Sequence, residues 1–394
     1  MSGVAKATVG APKTNTIQLR YLPDSLSICY DAKRKPVMIW GPPGIAKSAH
    51  AQQFAVTKNL PYFDVRLAHF DPVDFKGIPY VDTVDVPDGA DVNFDFVVED
   101  DGGKVRKMRI TRFAPPDMLP LGPAIICLEE LPNALPSIQI IASRLLLDRN
   151  FDGGWKAHKD TMMIATGNRR GDRSGANALL MNLDNRVIHY EVTPDLDYWL
   201  QWILDNYNET DGAKRAATDM VTFMKYMPQA SYNFDADSAF TDSHGYATYR
   251  SWHMSLDILE SCYNKGIDPA GMVPRSALCG AVGIASGEQF FKFLEVQKQL
   301  PNVDQILASR QPFQIPDKLD ILYSFIGAIS YKTKRENIDR VWEITEEFEN
   351  KEKGEWAILL VRLAHKFCPD FGRHQKLKGF VLHHRHVMGL SGRS

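Results

Sequence analysis

Residues 37–48, VMIWGPPGIAKS, decide the fold class of this chain. The first four are apolar and are typical of a short buried strand. The Gly- and Pro-rich loop that follows leads into a helical pattern at 48–58. A strand, such a loop and a helix in this order indicate a phosphate-binding loop, in which backbone N–H groups and the helix N-terminus cradle phosphate oxygens. Lys47 would reach the β- and γ-phosphates of a nucleotide, and Ser48 would bind Mg²⁺.

One residue departs from the usual loop pattern, G-x-x-x-x-G-K-[ST]. Ala46 stands directly before Lys47, where that pattern has glycine. Its methyl group would crowd the loop if the backbone there required a positive φ. The strand before the loop and the helix after it still favour a nucleotide site. The residues predicted to bind the nucleotide are Gly41, Pro42, Pro43, Gly44, Ile45, Ala46, Lys47, Ser48 and Ala49.

Polar residues follow two further apolar runs. Glu129 and Glu130 directly follow the apolar run at 124–128, and Gly167 and Asn168 directly follow the run at 162–166. Two carboxylates at the C-terminal end of a buried strand suit a triphosphate site, where one helps to hold hydrated Mg²⁺ and the next activates the attacking water. We assign these roles to Glu129 and Glu130, respectively. Asn168 would hold the attacking water or the γ-phosphate.

Short apolar runs alternate with helical patterns through the first half of the chain. The runs lie at 37–40, 62–67, 124–128, 162–166 and 187–192, and helical patterns include 48–58 and 133–147. This alternation predicts an α/β fold with a mostly parallel sheet and helices on both faces. Beyond Pro194 the pattern is helical. We predict a flexible tail at 1–16, a nucleotide-binding domain at 17–193, and helical domains at 194–300 and 301–394.

Residues 92–113 interrupt the alternation with a predicted β-hairpin. Strand-like runs at 92–98 and 105–113 flank an Asp-Gly turn at 100–103, which is a strong hairpin signal. Residues 91–101 include five acidic residues, and residues 104–112 include five basic residues. Because the charges balance, we predict cross-strand pairing in an exposed hairpin rather than a basic finger for nucleic acid.

Composition excludes several classes of protein. Lys and Arg number 46 and Asp and Glu number 48, so the net charge of −2 gives no support to a sequence-independent nucleic-acid binder. The five cysteines are scattered and form no CxxC pair, so we expect a reducing cytoplasm without disulfide or zinc frameworks. No stretch approaches the roughly 18 apolar residues of a membrane helix.

The C-terminal residues 373–393 are basic and histidine-rich, with His383, His384 and His386 in the sequence HHRH. Adjacent histidines can bind metal, but neither cysteine nor a carboxylate accompanies them in the motif. We therefore favour a basic face for a partner or nucleic acid over a metal site.

The chain contains a succession of further motifs: GPPGIAKS, FDPVDFKGIPYVD, FAPPDMLP, LEELPNALPSIQ, LLLDRN, ATGNRRGDR and LDNRVIHYEV. Together they resemble the MoxR-type group of the AAA+ ATPases over about residues 36–293. Glu129 replaces the usual Asp, and Val187 follows Asn185-Arg186 where Phe is common.

This resemblance implies Mg²⁺-dependent ATP hydrolysis by a homo-oligomeric ring, usually of six subunits, with residues 194–300 as a helical lid. Arg186 matches the arginine finger, which reaches a neighbouring subunit's γ-phosphate. Arg250 is the predicted sensor-2 arginine, and Arg275 is the alternative. Three more arginines could lie at the subunit boundary: Arg169, Arg170 and Arg173.

The resemblance further implies a chaperone-like remodeller of a protein target, often with a von Willebrand factor A domain partner. The alternatives are a nucleic-acid-stimulated ATPase in a viral or defence system and a regulatory ring. A ring that pulls on a protein usually presents an aromatic residue to its pore. Phe75 is either that residue or a packed loop aromatic.

Overall fold

The computed structural model describes residues 15–92, 95–100, 103–114, 119–150, 155–169, 179–234, 245–297, 300–309 and 313–384. The chain divides into two compact units, Met1–Pro194 and Asp195–Ser394. The finer division into a lid and an extension at residue 300 stays a prediction.

The first unit is built on six strands that pair in parallel. They are β1 (Thr16–Gln18), β2 (Val37–Trp40), β3 (Tyr62–Arg66), β7 (Ile125–Glu129), β8 (Met162–Gly167) and β9 (Ile188–Thr193). Their order is β1-β9-β2-β8-β7-β3, and every neighbouring pair is parallel. This sheet confirms the predicted α/β fold of the P-loop NTPase type. Strand β1 corrects the predicted tail, because Thr16 already pairs with Glu191 of β9.

Among the described residues of this unit, five α-helices accompany the sheet. They are α1 (Leu22–Asp31), α2 (Lys47–Thr57), α3 (Pro72–Lys76), α4 (Pro136–Asp148) and α5 (Met181–Asp184). All five residues of β7 and all six of β8 are buried. Strands covered on both faces are apolar throughout rather than alternating, which explains why these two runs were visible in the sequence.

A separate antiparallel sheet lies between β3 and β7 in the chain. It consists of β4 (Ile78–Asp85), β5 (Asp95–Asp100) and β6 (Gly103–Ala114), in the order β4-β6-β5. The predicted hairpin is confirmed as β5 and β6, with Glu99 opposite Lys104 in the register. Its turn residues 101 and 102 lie outside the described residues.

Strand β4 corrects the predicted two-stranded insert. It pairs with β6 along its whole length, from Ile78 opposite Ala114 to Asp85 opposite Lys107. Arg112 Nε lies 2.7 Å from Asp82 Oδ2, and Lys107 Nζ lies 3.9 Å from Asp85 Oδ1. Bases of β6 therefore pair with acids of β4, and the predicted charge pairing with β5 stays a prediction.

The second unit is helical in its described residues. Its helices are α6 (Leu196–Asn206), α7 (Asp211–Tyr226), α8 (Tyr249–Asn264), α9 (Met272–Val282), α10 (Ile284–Gln297), α11 (Val303–Ala308), α12 (Leu319–Tyr331), α13 (Ile338–Asn350), α14 (Gly354–Phe367) and α15 (Gln375–His383). One hydrophobic cluster, including Trp252, Phe290 and Trp342, runs through them. In the described part of the chain, no helix combines the length and apolarity needed to cross a membrane.

The predicted long loop at 229–245 is only partly described. A short 3₁₀ helix, Pro228–Ser231, occupies its beginning. Residues 235–244 lie outside the described residues.

Candidate functional site

The loop between β2 and α2 has two backbone positions in the left-handed region, Gly44 and Ala46, both with φ of 73°. Ala46 is the residue before the first turn of α2, and its carbonyl accepts from the N–H of His50 at 3.1 Å. Ala46 therefore has the positive φ that the sequence analysis considered, and such a conformation costs a residue with a side chain on the order of 1 kcal/mol or more.

Gly41 fits where no other residue would. A Cβ atom built on it would lie 2.8 Å from the carbonyl oxygen of Val192 and 2.9 Å from Cδ1 of Ile45. The Gly41 N–H donates to the carbonyl of Gly167 at 3.3 Å, which attaches the loop to the end of β8. Close approach of the backbone to β8 and β9 therefore requires glycine at this position.

Lys47 is held at the start of α2 by three acceptors. Its Nζ donates to the carbonyl oxygens of Gly41 at 2.7 Å and Pro42 at 3.0 Å, and to Oδ1 of Asn168 at 2.8 Å. None of these three acceptors carries a formal charge, so the bonds orient the ammonium without neutralising it. The structure thereby brings together Lys47 and Asn168, which are 121 residues apart in the chain.

Glu129 is buried, with 7% of its surface exposed. Its Oε2 accepts a short hydrogen bond from the hydroxyl of Thr166, and its Oε1 accepts from Cys127 Sγ at 3.2 Å and from Tyr62 OH at 3.5 Å. Burial raises the pKa of the Cys127 thiol well above its ordinary value, and nearby Glu129 raises it further. Burial likewise raises the pKa of Tyr62. Both groups stay protonated and donate to the carboxylate.

Glu130 is exposed although it follows Glu129 directly. Its backbone adopts a positive φ of 57°, which is uncommon for a residue with a side chain and is found preferentially at functional positions. Its N–H donates to the hydroxyl of Thr166 at 3.3 Å, and its Oε2 accepts from Nδ2 of Asn133 at 3.4 Å. The two carboxylates therefore occupy opposite environments, and Thr166 bonds to the carboxylate of Glu129 and to the backbone N–H of Glu130.

Thr166 was missed by the sequence analysis as a site residue. Its hydroxyl donates to Glu129 and accepts from the N–H of Glu130, so it fixes both carboxylate residues from the neighbouring strand. The one available signal was a hydroxyl residue directly after the apolar run MMIA. Buried polar side chains in such a run need hydrogen-bond partners.

Arg186 follows α5 and is partly buried. Its Nη1 donates to Oγ of Ser143 on α4 at 3.1 Å. Arg169 donates from Nη2 to the carbonyl of Val192 at 3.5 Å. Arg170 and Arg173 lie outside the described residues. A role for any of these arginines at a subunit boundary stays a prediction.

A second connection missed by the sequence analysis joins the end of β2 to the segment before Arg186. Trp40 Nε1 donates to Nδ1 of His189 at 2.9 Å, and the two rings are stacked. Because Nδ1 accepts, the ring proton of neutral His189 lies on Nε2, which donates to the carbonyl of Asp184 at 2.7 Å. The residue before the phosphate loop is thus linked to the turn that carries Arg186.

The two sensor-2 candidates differ within the second unit. Arg275 on α9 makes a two-pronged pair with Glu288, with Nε 2.9 Å from Oε1, and its guanidinium lies 5.1 Å from the ring centre of Phe291. Arg250, the second residue of α8, is exposed and makes no side-chain hydrogen bond or ion pair with the described residues. The choice of Arg250 stays a prediction.

Phe75 is a packed aromatic residue. It lies on α3 with 2% of its surface exposed, and its ring centre lies 5.2 Å from that of Phe70. Of the two alternatives left open by the sequence, the structure shows the packed residue.

No family model matches this chain, and a search of the curated proteins returned no match. Among solved structures, it is similar to a putative ATPase from Cytophaga hutchinsonii at 12% identity and a TM-score of 0.32, covering 64% of this chain and 77% of that one. It is also similar to NtrX from Brucella abortus in complex with ADP, at 13% identity and a TM-score of 0.29, covering 94% of this chain and 68% of that one. The fold assignment rests on the strand order and the loop geometry described above.

Proposed function

We propose that this chain binds ATP with Mg²⁺ and hydrolyses the bond between its β- and γ-phosphates. The observation that carries the proposal is the 2.8 Å contact between Lys47 Nζ and Asn168 Oδ1. It joins the phosphate loop to the end of β8, which is paired with β7, the strand that ends in Glu129. The end of a parallel sheet beside a helix N-terminus is where α/β proteins bind nucleotides.

The residues of the loop fit a phosphate group. The left-handed backbone at Gly44 and Ala46, alternating with other conformations, is typical of the nests in which successive N–H groups bind anions. Lys47 would bind the β- and γ-phosphate oxygens, and Ser48 in the first turn of α2 would hold Mg²⁺. Bound Mg²⁺ would neutralise charge that develops on the phosphate oxygens.

The two glutamates suit different tasks. Glu130 has an exposed carboxylate, so we infer that it accepts the proton of the attacking water. Both oxygens of Glu129 already accept hydrogen bonds from protein donors, so we infer that it acts on Mg²⁺ through the ion's bound water. Asn168 would position the γ-phosphate or the attacking water once Lys47 has turned toward the phosphates.

The test separates binding from turnover. Glu130→Gln should bind ATP as the wild type does and lose about 10²-fold or more in turnover, because an amide cannot accept the proton. Lys47→Ala should weaken ATP binding itself. Lys58→Ala, at the other end of α2, and Asp148→Asn, at the exposed end of α4, are matched controls that should leave both properties unchanged. Wild-type turnover in Glu130→Gln, or wild-type binding in Lys47→Ala, contradicts the proposal.

We further propose that the chain works as a MoxR-type AAA+ ring, a homo-oligomer of six subunits by analogy with the group, that remodels a protein target with a von Willebrand factor A domain partner. The support is the succession of motifs from the phosphate loop to the segment at Arg186. Arg186 would then act on the nucleotide of a neighbouring subunit, after releasing Ser143.

Mixing two inactive variants tests the ring. Arg186→Ala chains retain Glu130, and Glu130→Gln chains retain Arg186, so a mixed boundary can assemble one complete site. Partial recovery of ATPase activity on mixing is expected, and activity per chain should rise with protein concentration. Full turnover in Arg186→Ala alone would exclude the finger role. Ser143→Ala, which removes only the partner of Arg186 in its own chain, is the control and should keep activity.

A nucleic-acid-stimulated ATPase is not favoured by the described residues. The bases of β6 that could form a binding surface include Arg112 and Lys107, which pair with Asp82 and Asp85. Submicromolar binding of DNA or RNA near physiological salt, or marked stimulation of the ATPase, would reverse this preference.

A further inference from the structure

The end of α15 and the end of α13 bring together two histidines and a carboxylate. His384 Nε2 lies 2.6 Å from Oε1 of Glu349. The rings of His383 and His384 have centres 4.7 Å apart and are nearly perpendicular. One potential ligand atom from each of the three residues lies within 4.8 Å of the other two.

The convergence of adjacent histidines has a backbone cause. Successive residues within a helix point in different directions and do not face each other. His383 is the last residue of α15, and His384 is the capping residue, with φ of −99° and ψ of 16°. The chain leaves the helix at His384, so the two rings can meet beside Glu349. Glu349 lies 35 residues before His384 in the chain, so the histidine motif itself gave no sign of this carboxylate.

The surroundings favour a cation. A cavity of about 440 Å³ is lined by Glu349 and His383 together with Glu346 and Lys376. Lys376 Nζ lies 2.6 Å from Glu346 Oε1, so this positive charge already has its own partner. The ring of Phe380 lies 4.5 Å from that of His384 and restricts its rotation.

We propose that Glu349, His383 and His384 bind one transition-metal dication of the Zn²⁺ class. Two imidazoles and one carboxylate suit Zn²⁺, whereas Mg²⁺ and Ca²⁺ prefer oxygen ligands. Zn²⁺ binds nitrogen and carboxylate oxygen at about 2.0–2.2 Å, so the three ligand atoms would close to roughly 3.3–3.5 Å from one another. The His384–Glu349 pair, now a 2.6 Å hydrogen bond, would open to this spacing and release its bridging proton to solvent, and His383 would move inward. Water would complete the coordination, and the ion would join α15 to α13.

Zn²⁺ titration of the full chain without nucleotide, followed by calorimetry, tests the site. Wild type should bind one Zn²⁺ with micromolar or tighter affinity, and His383→Gln, His384→Gln and Glu349→Gln should each weaken binding by about tenfold or more. His383 decides between a metal site and a simple ion pair, because it takes no part in the His384–Glu349 contact.

The same two helices offer a matched control. His374 Nε2 lies 3.0 Å from Asp339 Oδ1, which is a second histidine–carboxylate pair between the start of α15 and α13. Asp339→Asn should leave Zn²⁺ affinity unchanged. Wild type without micromolar binding, His383→Gln with wild-type affinity, or Asp339→Asn as weak as Glu349→Gln would overturn the proposal.

Hydrogen exchange provides a second measurement that does not depend on affinity. Zn²⁺ should slow amide exchange in α15 of the wild type and should not do so in His383→Gln. This variant keeps the His384–Glu349 pair, so its α15 should stay folded without metal. Equal protection of α15 by Zn²⁺ in both proteins would also overturn the site. Neither result depends on whether the chain hydrolyses ATP.

Discussion

The parallel sheet and the antiparallel insert place charged residues in contrasting environments. At the end of β7 and β8, Glu129 is buried and receives hydrogen bonds from Thr166, Cys127 and Tyr62. In the insert, Arg112 and Asp82 also form a close pair, but their side chains are 51% and 38% exposed.

The difference shows why charge pairing alone does not identify a functional site. Water screens an exposed ion pair, so the pair contributes little to the free energy of unfolding. A buried carboxylate must be compensated by several donors, and the backbone around it is constrained to supply them. Ala46 and Glu130, with their positive φ values, belong to this region of the sheet.

The largest effect is expected at Thr166. Thr166→Val removes the hydroxyl that donates to Glu129 and accepts from Glu130, and it should lower the free energy of unfolding by about 1.5–3 kcal/mol, the range for a hydrogen bond to a charged group. Denaturant unfolding measures it. Thr166→Ser keeps the hydroxyl and should retain most of the stability. A loss below about 0.5 kcal/mol in Thr166→Val would mean that Glu129 does not depend on this donor.

Paired substitutions compare backbone strain in the two regions. Ala46→Gly should raise the free energy of unfolding by about 1 kcal/mol, because glycine adopts positive φ without a steric cost. Gly89 in the insert has φ of 81°, and a Cβ atom added to it would meet no other atom within 4 Å. Gly89→Ala should therefore lower the free energy of unfolding by about the same amount through strain alone. In thermal unfolding, Ala46→Gly should raise the Tm and Gly89→Ala should lower it. Tm shifts of the same sign would contradict this prediction.

The smallest effect is expected in the insert. Arg112→Met keeps most of the aliphatic stem and removes the pair with Asp82, so it should cost less than about 1 kcal/mol. The cost should shrink further at high salt because the pair is exposed. Asp82→Asn is the matched variant on the other strand. A loss above about 2 kcal/mol in denaturant unfolding would show that the insert relies on its charges as strongly as the sheet does.

The sequence predicted those parts of the fold whose local pattern and tertiary environment agree. Strands β2, β7 and β8 lie inside the sheet and are continuous apolar runs in the sequence. Strand β1 was missed because its three residues have no pattern of their own and become a strand through pairing with β9. Strand β4 was missed because most of its residues are exposed, and its partner β6 follows only after β5 in the chain.

In the candidate site, too, some features were predicted from the sequence and others were not. The phosphate loop and the carboxylate pair were visible because each motif is local. The contacts of Thr166 depend on the pairing of β7 with β8, and the link from Trp40 to His189 depends on the pairing of β2 with β9. Neither can be read from spacing, because Thr166 is 36 residues from Glu130 and His189 is 149 residues from Trp40.

Two local patterns are visible in the sequence without any structure: a lysine that follows a glycine-containing loop at a helix start, and two glutamates at the end of an apolar strand. The difference between these two glutamates arises from the fold. Glu129 is the last residue of β7 and meets the hydroxyl of Thr166 across the strand pair, so its carboxylate is buried and bonded. At Glu130 the backbone turns into the left-handed region and leaves the sheet, so its carboxylate is exposed. Two chemically identical side chains thus differ in their exposure to water, because exposure depends on the path of the backbone and on the neighbouring strands.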